Sequence, residues 1–390
     1  THSFEVMLSA FVFGLALGGL WVRKRMDKFK RPELVLAVVQ LIMGFSAVAT
    51  LPAYRIAVEA MGFVMGEEDR TIAMWYGFNV LRYLLCLLIM LPATFCAGMT
   101  LPLLTHVMLK RGQPESAVGN VYGVNTLGAI VGAVAAGLLL MPIVGLKGVI
   151  VIGALVDMFL GLALIRSEIR FGRGTADTPR LFRRAALGTL FVTAFGLVVR
   201  VDPMVLTATV FRSGRTRLPD NYEILSYVDG RTASVTVVEN KAHDSYHIIY
   251  TNGKPDASVI LNRWPEGRDP LDGPDIAGDE PNQFLVGFVP LMARPDAKQI
   301  ALIGFGSGVT AHTLLASPVL ERLDTIEIEP EMVRGSRTFM PVNHRAYEDP
   351  RSHIIIDDAK ATFASAGLKY DIIISEPTNP WVSGVSSLFT

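Results

Sequence analysis

Four short stretches in the last hundred residues carry side chains suited to holding a nucleoside. Gly304-Phe305-Gly306-Ser307-Gly308 is a glycine turn, where the backbone can approach a ligand that a Cβ would obstruct. Glu327, about 20 residues further on, is spaced to accept hydrogen bonds from both hydroxyls of a ribose. Asp358 can accept from an adenine amino group, whereas its neighbour Asp357 reads equally well as the cap of a following helix. Glu376, ahead of Pro377, is either a reactive carboxylate or the start of a turn. The glycine spacing is G-x-G-x-G rather than the G-x-G-x-x-G of a dinucleotide fingerprint, and no Gly-Lys-Ser/Thr follows as a P-loop requires. An S-adenosylmethionine-type ligand is therefore favoured over NAD. Glu329 and Glu331 read as acids at a helix N-terminus, His312 and His344 as surface or helix histidines, and Trp381 as either a stacking surface or a cover for the sheet edge.

These residues sit at the ends of four apolar runs, 299–304, 324–329, 352–357 and 370–375, that alternate with helical stretches. Such alternation predicts a doubly wound parallel sheet, in which ligands bind at the carboxyl edge. Before it, Ser234–Val238 and Tyr246–Tyr250, the latter followed by Asn252-Gly253, predict a small antiparallel sheet. The Pro-, Gly- and Asp-rich stretch 264–281 reads as a long binding loop or lid.

The first two hundred residues belong to another solvent. The chain is 51% hydrophobic and 18% charged, with a mean hydropathy of +0.39. Apolar stretches at 6–22, 34–53, 80–108, 118–142, 144–165 and 185–199 approach the roughly 20 residues that cross a bilayer, except the last, whose 15 residues suit either a short span or an interfacial helix. The net charge of zero divides into +8 over residues 1–200, from 19 Lys and Arg against 11 Asp and Glu, and −8 over the rest. An acidic soluble half disfavours nucleic acid as a partner. Six basic residues in 23–31 and six in 166–184 mark those loops as cytoplasmic, and the acids of 54–75 mark that loop as external. A true sixth span then puts the C-terminal half outside. Gly14-xxx-Gly18 and Gly128-xxx-Gly132 predict close helix contacts. Arg82, His106, Asn125 and Asp157 are candidates for a polar pathway, although a structural anchor is the stronger reading. The basic cluster Arg23-Lys24-Arg25 after the first run argues against a secretory signal. Cys86 and Cys96 share one apolar run, so neither a disulfide framework nor a cysteine-based metal site is expected, and no metal is assigned. With no Met at position 1 and no signal at the last residues, the chain reads as a fragment cut at both ends.

The stretch Tyr370-Asp-Ile-Ile-Ile-Ser-Glu376-Pro-Thr-Asn379-Pro380-Trp381-Val-Ser-Gly384, together with Gly123-Val-Asn125-Thr-Leu-Gly128, Gly278-Asp279, Gln283, the glycine turn, Glu327-Ile-Glu329-Pro330 and Asp357-Asp358, resembles the spermidine/spermine synthase family of polyamine aminopropyltransferases, in its bacterial form fused to a multi-span membrane domain. The resemblance implies a transmembrane helical bundle of five to six spans over 1–200, a small β-domain over 203–260, and an incomplete Rossmann-like, methyltransferase-type domain over 261–390. It implies aminopropyl transfer in polyamine biosynthesis, from decarboxylated S-adenosylmethionine or S-adenosylmethionine to a small amine such as putrescine, with Glu376 as catalytic carboxylate. Gly304, Gly306, Ser307, Gly308, Glu327, Asp358 and Gln283 would form the donor site. The family's Asp in the glycine turn is here Ser307 and a second loop Asp is Asn379, so two contacts worth roughly 1.5–3 kcal/mol each are lost toward a polyamine, while Glu376 in place of the usual Asp at the reacting position keeps the charge but moves it by one methylene. The family's Tyr ahead of the first strand has no clear counterpart around Asn282-Gln283. A multi-pass protein of the cell membrane, in contact with the lipid bilayer and open to homo-oligomer formation, is the corresponding expectation. The residues also leave open transfer of a methyl or other group, or a non-catalytic nucleoside-binding sensor or transport module.

Overall fold

Apolar runs too long for a strand wind as helices in the first two hundred residues of the computed structural model, which describes residues 2–65, 72–208, 210, 214–242, 245–262 and 278–375. The chain divides into two units, His2–Val201 with Val210–Thr216, and Asp202–Thr209 with Arg217–Thr390.

The first unit contains α1 (His2–Arg23), α2 (Pro32–Met65), α3 (Ile72–Lys110), α4 (Ser116–Val134), α5 (Met141–Arg170) and α6 (Thr178–Val198). A π-helical stretch, Ala135–Leu140, joins α4 to α5, and Gly145 breaks the helical path with φ 69°. Five helical stretches among the described residues are long and apolar enough to cross a membrane: Glu5–Arg23, Pro32–Met65, Tyr76–Lys110, Ser116–Arg170 and Thr178–Val198. The fourth contains two of the expected apolar runs, with Gly145 at the start of the second. The last helix begins at Thr178 and has 21 residues, so it is longer than its apolar core of 185–199 suggested. Polar residues Arg180, Arg183 and Arg184 lie within its first turns and conceal its true start from a hydropathy count.

Gly14 and Gly18 bring α1 against α3, where an added Cβ would overlap Thr94 and the Phe95 carbonyl; reciprocally, one on Gly98 would overlap the Leu15 carbonyl. Backbones this close gain dispersion contacts along their length. The second expected pair behaves differently, since the space beside Gly128 and Gly132 is open. Polar contacts fix the order of the helix ends. Arg111, after α3, bonds Glu33 at the start of α2 at 3.3 Å and Glu168 near the end of α5 at 3.0 Å. At the other end, Lys147 donates to the Leu197 carbonyl at 2.9 Å, joining the beginning of α5 to the end of α6. Thus α6 runs the length of α5 in the opposite direction.

The second unit opens with a single turn, α7 (Pro203–Leu206), capped by Asp202, which accepts from the Met204 N–H at 2.9 Å. Strands β1 (Tyr222–Asp229), β2 (Ser234–Asn240), β3 (Tyr246–Thr251) and β4 (Lys254–Ile260) form an antiparallel sheet in that order. Asn252 and Gly253 take φ of 50° and 75°, the left-handed pair that a two-residue hairpin needs. The sheet is packed on both faces. Val235, Val237, Ile249 and Val259 meet Val309, Met332 and Phe339, while Val238, Ile248 and Tyr250 meet Met204 and Leu218. This explains why β2 is buried without the alternation of a one-sided strand.

The remaining strands, β5 (Gln299–Ile303), β6 (Arg322–Glu327), β7 (Ser352–Ile356) and β8 (Ile372–Ser375), make a parallel sheet in the order β7-β6-β5-β8. Helices α8 (Glu280–Ala293), α9 (Val309–Leu314), α10 (Pro330–Gly335), α11 (His344–Glu348) and α12 (Ala359–Ala366) accompany it. Helix α8 starts inside what reads in sequence as a loop, and residues 264–277 of that loop lie outside the described residues. Ile300, Leu302, Leu314, Leu315 and Leu323 form the core. The chain moves outward from β5 to β7 and then returns to the far side of β5 as β8, so strand order reverses at β5. Open α/β sheets bind ligands beyond the carboxyl ends of their strands at such a reversal.

Candidate functional site

At the end of β5 the backbone turns through three left-handed glycines, with φ of 93° at Gly304, 53° at Gly306 and 81° at Gly308. A side chain there would strain the backbone. A Cβ on Gly304 or Gly306 would meet nothing within 4 Å, so the turn presents bare backbone to open space. It is braced from behind. Asn343, fully buried, donates to the Ser307 and Ser336 carbonyls at 2.7 Å each, and the Ser336 hydroxyl donates to the Gly306 carbonyl.

Glu327 closes the same corner from the end of β6. Its Oε2 accepts from the Phe305 N–H at 2.8 Å and its Oε1 from the Glu329 N–H at 2.9 Å. Burial pushes its pKa up from the ordinary glutamate value, and the backbone donors at Glu329, Phe305 and Ile328 oppose that rise. One carboxylate therefore locks the glycine turn to the adjacent strand end. Each oxygen can accept more than one hydrogen bond, so this arrangement is compatible with a diol ligand.

Ser307 and Gln283 have other engagements. Ser307 is 3% exposed, donates to the Gln283 Oε1 and accepts from the Val309 N–H at 3.3 Å. Gln283, 4% exposed on α8, donates through Nε2 to the Ser258 carbonyl at 3.1 Å and to Asp279 at 3.0 Å. Together they connect the glycine turn to β4. Beyond β7, the helix cap falls on Asp358, whose Oδ1 accepts from the Ala361 N–H at 3.0 Å. Asp357 instead accepts from the Asp358 N–H at 2.8 Å and from the Thr362 hydroxyl at 3.3 Å. Among the described residues no group of three or more His, Cys, Asp or Glu is placed to hold a metal ion. Glu376, Asn379 and Trp381 lie outside the described residues, one and more positions beyond the last residue of β8.

Comparison with known proteins adds the chemistry of relatives to this geometry. The family described as "Spermine/spermidine synthase domain" matches residues 282–390. Two proteins of Streptomyces coelicolor match nearly the whole chain: polyamine aminopropyltransferase 1 is 24% identical over 97% of this chain, and polyamine aminopropyltransferase 2 is 25% identical over 99% of it. Residues 282–390 thus carry a domain of the spermine/spermidine synthase family.

The family match begins in α8 and takes in β5 to β8, the part that positions the turn and Glu327. A polyamine aminopropyltransferase from Yersinia pseudotuberculosis is 36% identical over 37% of this chain. The chain spans 69%, 63% and 50% of the lengths of these three relatives. Two residues of the spermidine synthase-like domain escaped the sequence reading as parts of the site. Asn343 gave no signal, because its link to the turn is long in sequence and uses a backbone carbonyl. Glu329 reads as a helix acid, and it does cap α10, accepting from the Glu331 N–H at 3.1 Å. Its other oxygen, however, holds Thr232 and Ala233 on the distant β1–β2 hairpin.

Proposed function

We propose that this chain is an aminopropyltransferase that takes an S-adenosylmethionine-type donor, the decarboxylated form foremost, and a small amine such as putrescine. The observation that carries this reading is the corner made by Gly304–Gly308 and Glu327, an open backbone cradle closed by one buried carboxylate, in a domain of this family. The cradle suits the nucleoside: ribose hydroxyls would donate to Glu327 and the adenine amino group to Asp358.

The reaction is an in-line displacement. The lone pair of a neutral amine forms a bond to the methylene carbon, the carbon–sulfur bond breaks, and its electron pair neutralises the sulfonium to give a thioether nucleoside. The attacking nitrogen then gives up a proton, for which a carboxylate is the suitable acceptor. Glu376 is the proposed acceptor and orienter, and positioning of the two reactants supplies most of the acceleration. The five long apolar helical stretches support a membrane-anchored enzyme in the cell membrane.

Mass spectrometry of the full-length protein with decarboxylated S-adenosylmethionine and putrescine should detect spermidine. Donor bound without any product at any pH would sink the enzymatic reading. Calorimetry with both donor forms tests the donor: since Ser307 is engaged with Gln283 and supplies no carboxylate, the margin in favour of the decarboxylated donor should be small. Tighter binding of the carboxylated donor would refute aminopropyl transfer.

A further inference from the structure

The tip of the β1–β2 hairpin is fastened to the residue next but one after Glu327. Glu329 is 3% exposed, and its Oε2 accepts from the Thr232 N–H at 2.7 Å, the Thr232 hydroxyl at 2.8 Å and the Ala233 N–H at 3.2 Å. Gly230 leaves the room for this, since an added Cβ would overlap the Glu329 carboxylate. The hairpin itself is shaped by Asp229, which accepts from the Tyr227 hydroxyl at 2.7 Å and the Ser234 hydroxyl at 2.6 Å. With Oε1 on the Glu331 N–H, the Glu329 carboxylate receives four hydrogen bonds and has no freedom to turn. Its backbone N–H is thereby held in place, and that N–H is one of the backbone donors fixing the Glu327 carboxylate, beside those of Phe305 and Ile328.

We propose that Glu329 is the positioning residue for the ribose end of the site: it uses the β1–β2 hairpin to fix the peptide that aims Glu327. The small antiparallel sheet then sets ligand selectivity without touching the ligand through this contact. This inference rests on the reading of Glu327 as the ribose acceptor. A buried carboxylate that only joined two parts of the fold would affect stability alone. One that aims Glu327 also affects how well the site distinguishes a ribose from a deoxyribose, because a misdirected acceptor loses the geometry that makes a hydrogen bond strong.

The test is calorimetry on the full chain with 5′-methylthioadenosine and its 2′-deoxy and 3′-deoxy counterparts. The wild-type protein should prefer the ribonucleoside, and Glu329→Gln, which sets an amide NH2 against either the hairpin donors or the Glu331 N–H, should shrink that preference about tenfold. Gly230→Ala disturbs the same contact from the other side, and Thr232→Val removes only the hydroxyl donor; both should shrink it, the second less. A Glu329→Gln or Thr232→Val protein that melts earlier yet keeps the full wild-type preference would overturn the positioning role while leaving the ribose reading of Glu327 intact. A wild-type protein that binds all three nucleosides equally would overturn the ribose reading and the positioning role with it.

Discussion

Glu327 is a carboxylate out of bulk water whose two oxygens are committed to backbone donors on different strand ends. Burial raises its pKa above the ordinary glutamate value of 4.5, so between that value and the raised one the native chain holds a proton that the unfolded chain has lost. Stability from this group is therefore complete at low pH and falls as pH rises through that window. Denaturant titrations from pH 4 upward should show the decline, and Glu327→Gln should flatten it. The proposed nucleoside binding would need the charged acceptor and runs the other way: affinity should weaken on acidification through the same window, a dependence absent in Glu327→Gln. Asp358 caps α12, and that role can be separated from its proposed contact with the adenine. Asp358→Ser retains an N-cap and should keep stability within about 0.5 kcal/mol, whereas Asp358→Ala should lose about 1 kcal/mol. Both should lose discrimination of adenosine from inosine, which calorimetry reads directly; unchanged discrimination in Asp358→Ser would remove Asp358 from the base site.

At the scale of elements, close approach is decided by what faces a small residue. Gly18 meets the Phe95 carbonyl of α3, while Gly128 faces open space, although the two belong to identical sequence motifs. Gly18→Leu should destabilise the helical unit by at least the roughly 1–3 kcal/mol typical of overpacking, seen as a lower melting temperature in detergent, and Gly128→Leu should leave it near wild type. In the other unit, His247 on β3 hydrogen-bonds through Nδ1 to the Thr338 carbonyl at 3.1 Å. Burial pushes its pKa below the ordinary histidine value, against the opposing effects of that bond and of Glu239. Its stabilisation is thus present above pH 6.5 and lost as pH falls through the lowered value. Acid unfolding followed by tryptophan fluorescence should begin at a lower pH in His247→Gln.

For the whole molecule, the direction of α6 has a consequence for topology. It starts at the end where Arg111 joins Glu33 and Glu168, and finishes at the opposite end, where Lys147 reaches Leu197. If the basic loops are cytoplasmic, the chain after Val198 emerges outside. A reporter fused after Thr390 should then be active only in its externally folded form; cytoplasmic activity would mean that α6 does not cross. An external outcome would also require the nucleoside donor to be available on that face of the membrane.

Composition and periodicity alone divided the chain, because a long apolar run has few ways to satisfy its backbone and alternating apolar strands imply a parallel sheet. The carboxylates at the strand ends were legible for the same reason: strand and helix lengths bring residues 304, 327 and 358 to one edge whatever the packing. The start of helix α8 was hidden by Pro281, which falls in the stretch that reads as a loop, and the start of α6 by its arginines. Only the tertiary structure decided which oxygen meets which donor. It turned Ser307 onto Gln283, gave the helix cap to Asp358, and joined Glu329 to a hairpin 97 residues away. Those choices depend on side-chain directions within a few ångströms, and a hydrogen bond across such a separation in sequence leaves no periodic trace in the order of residues.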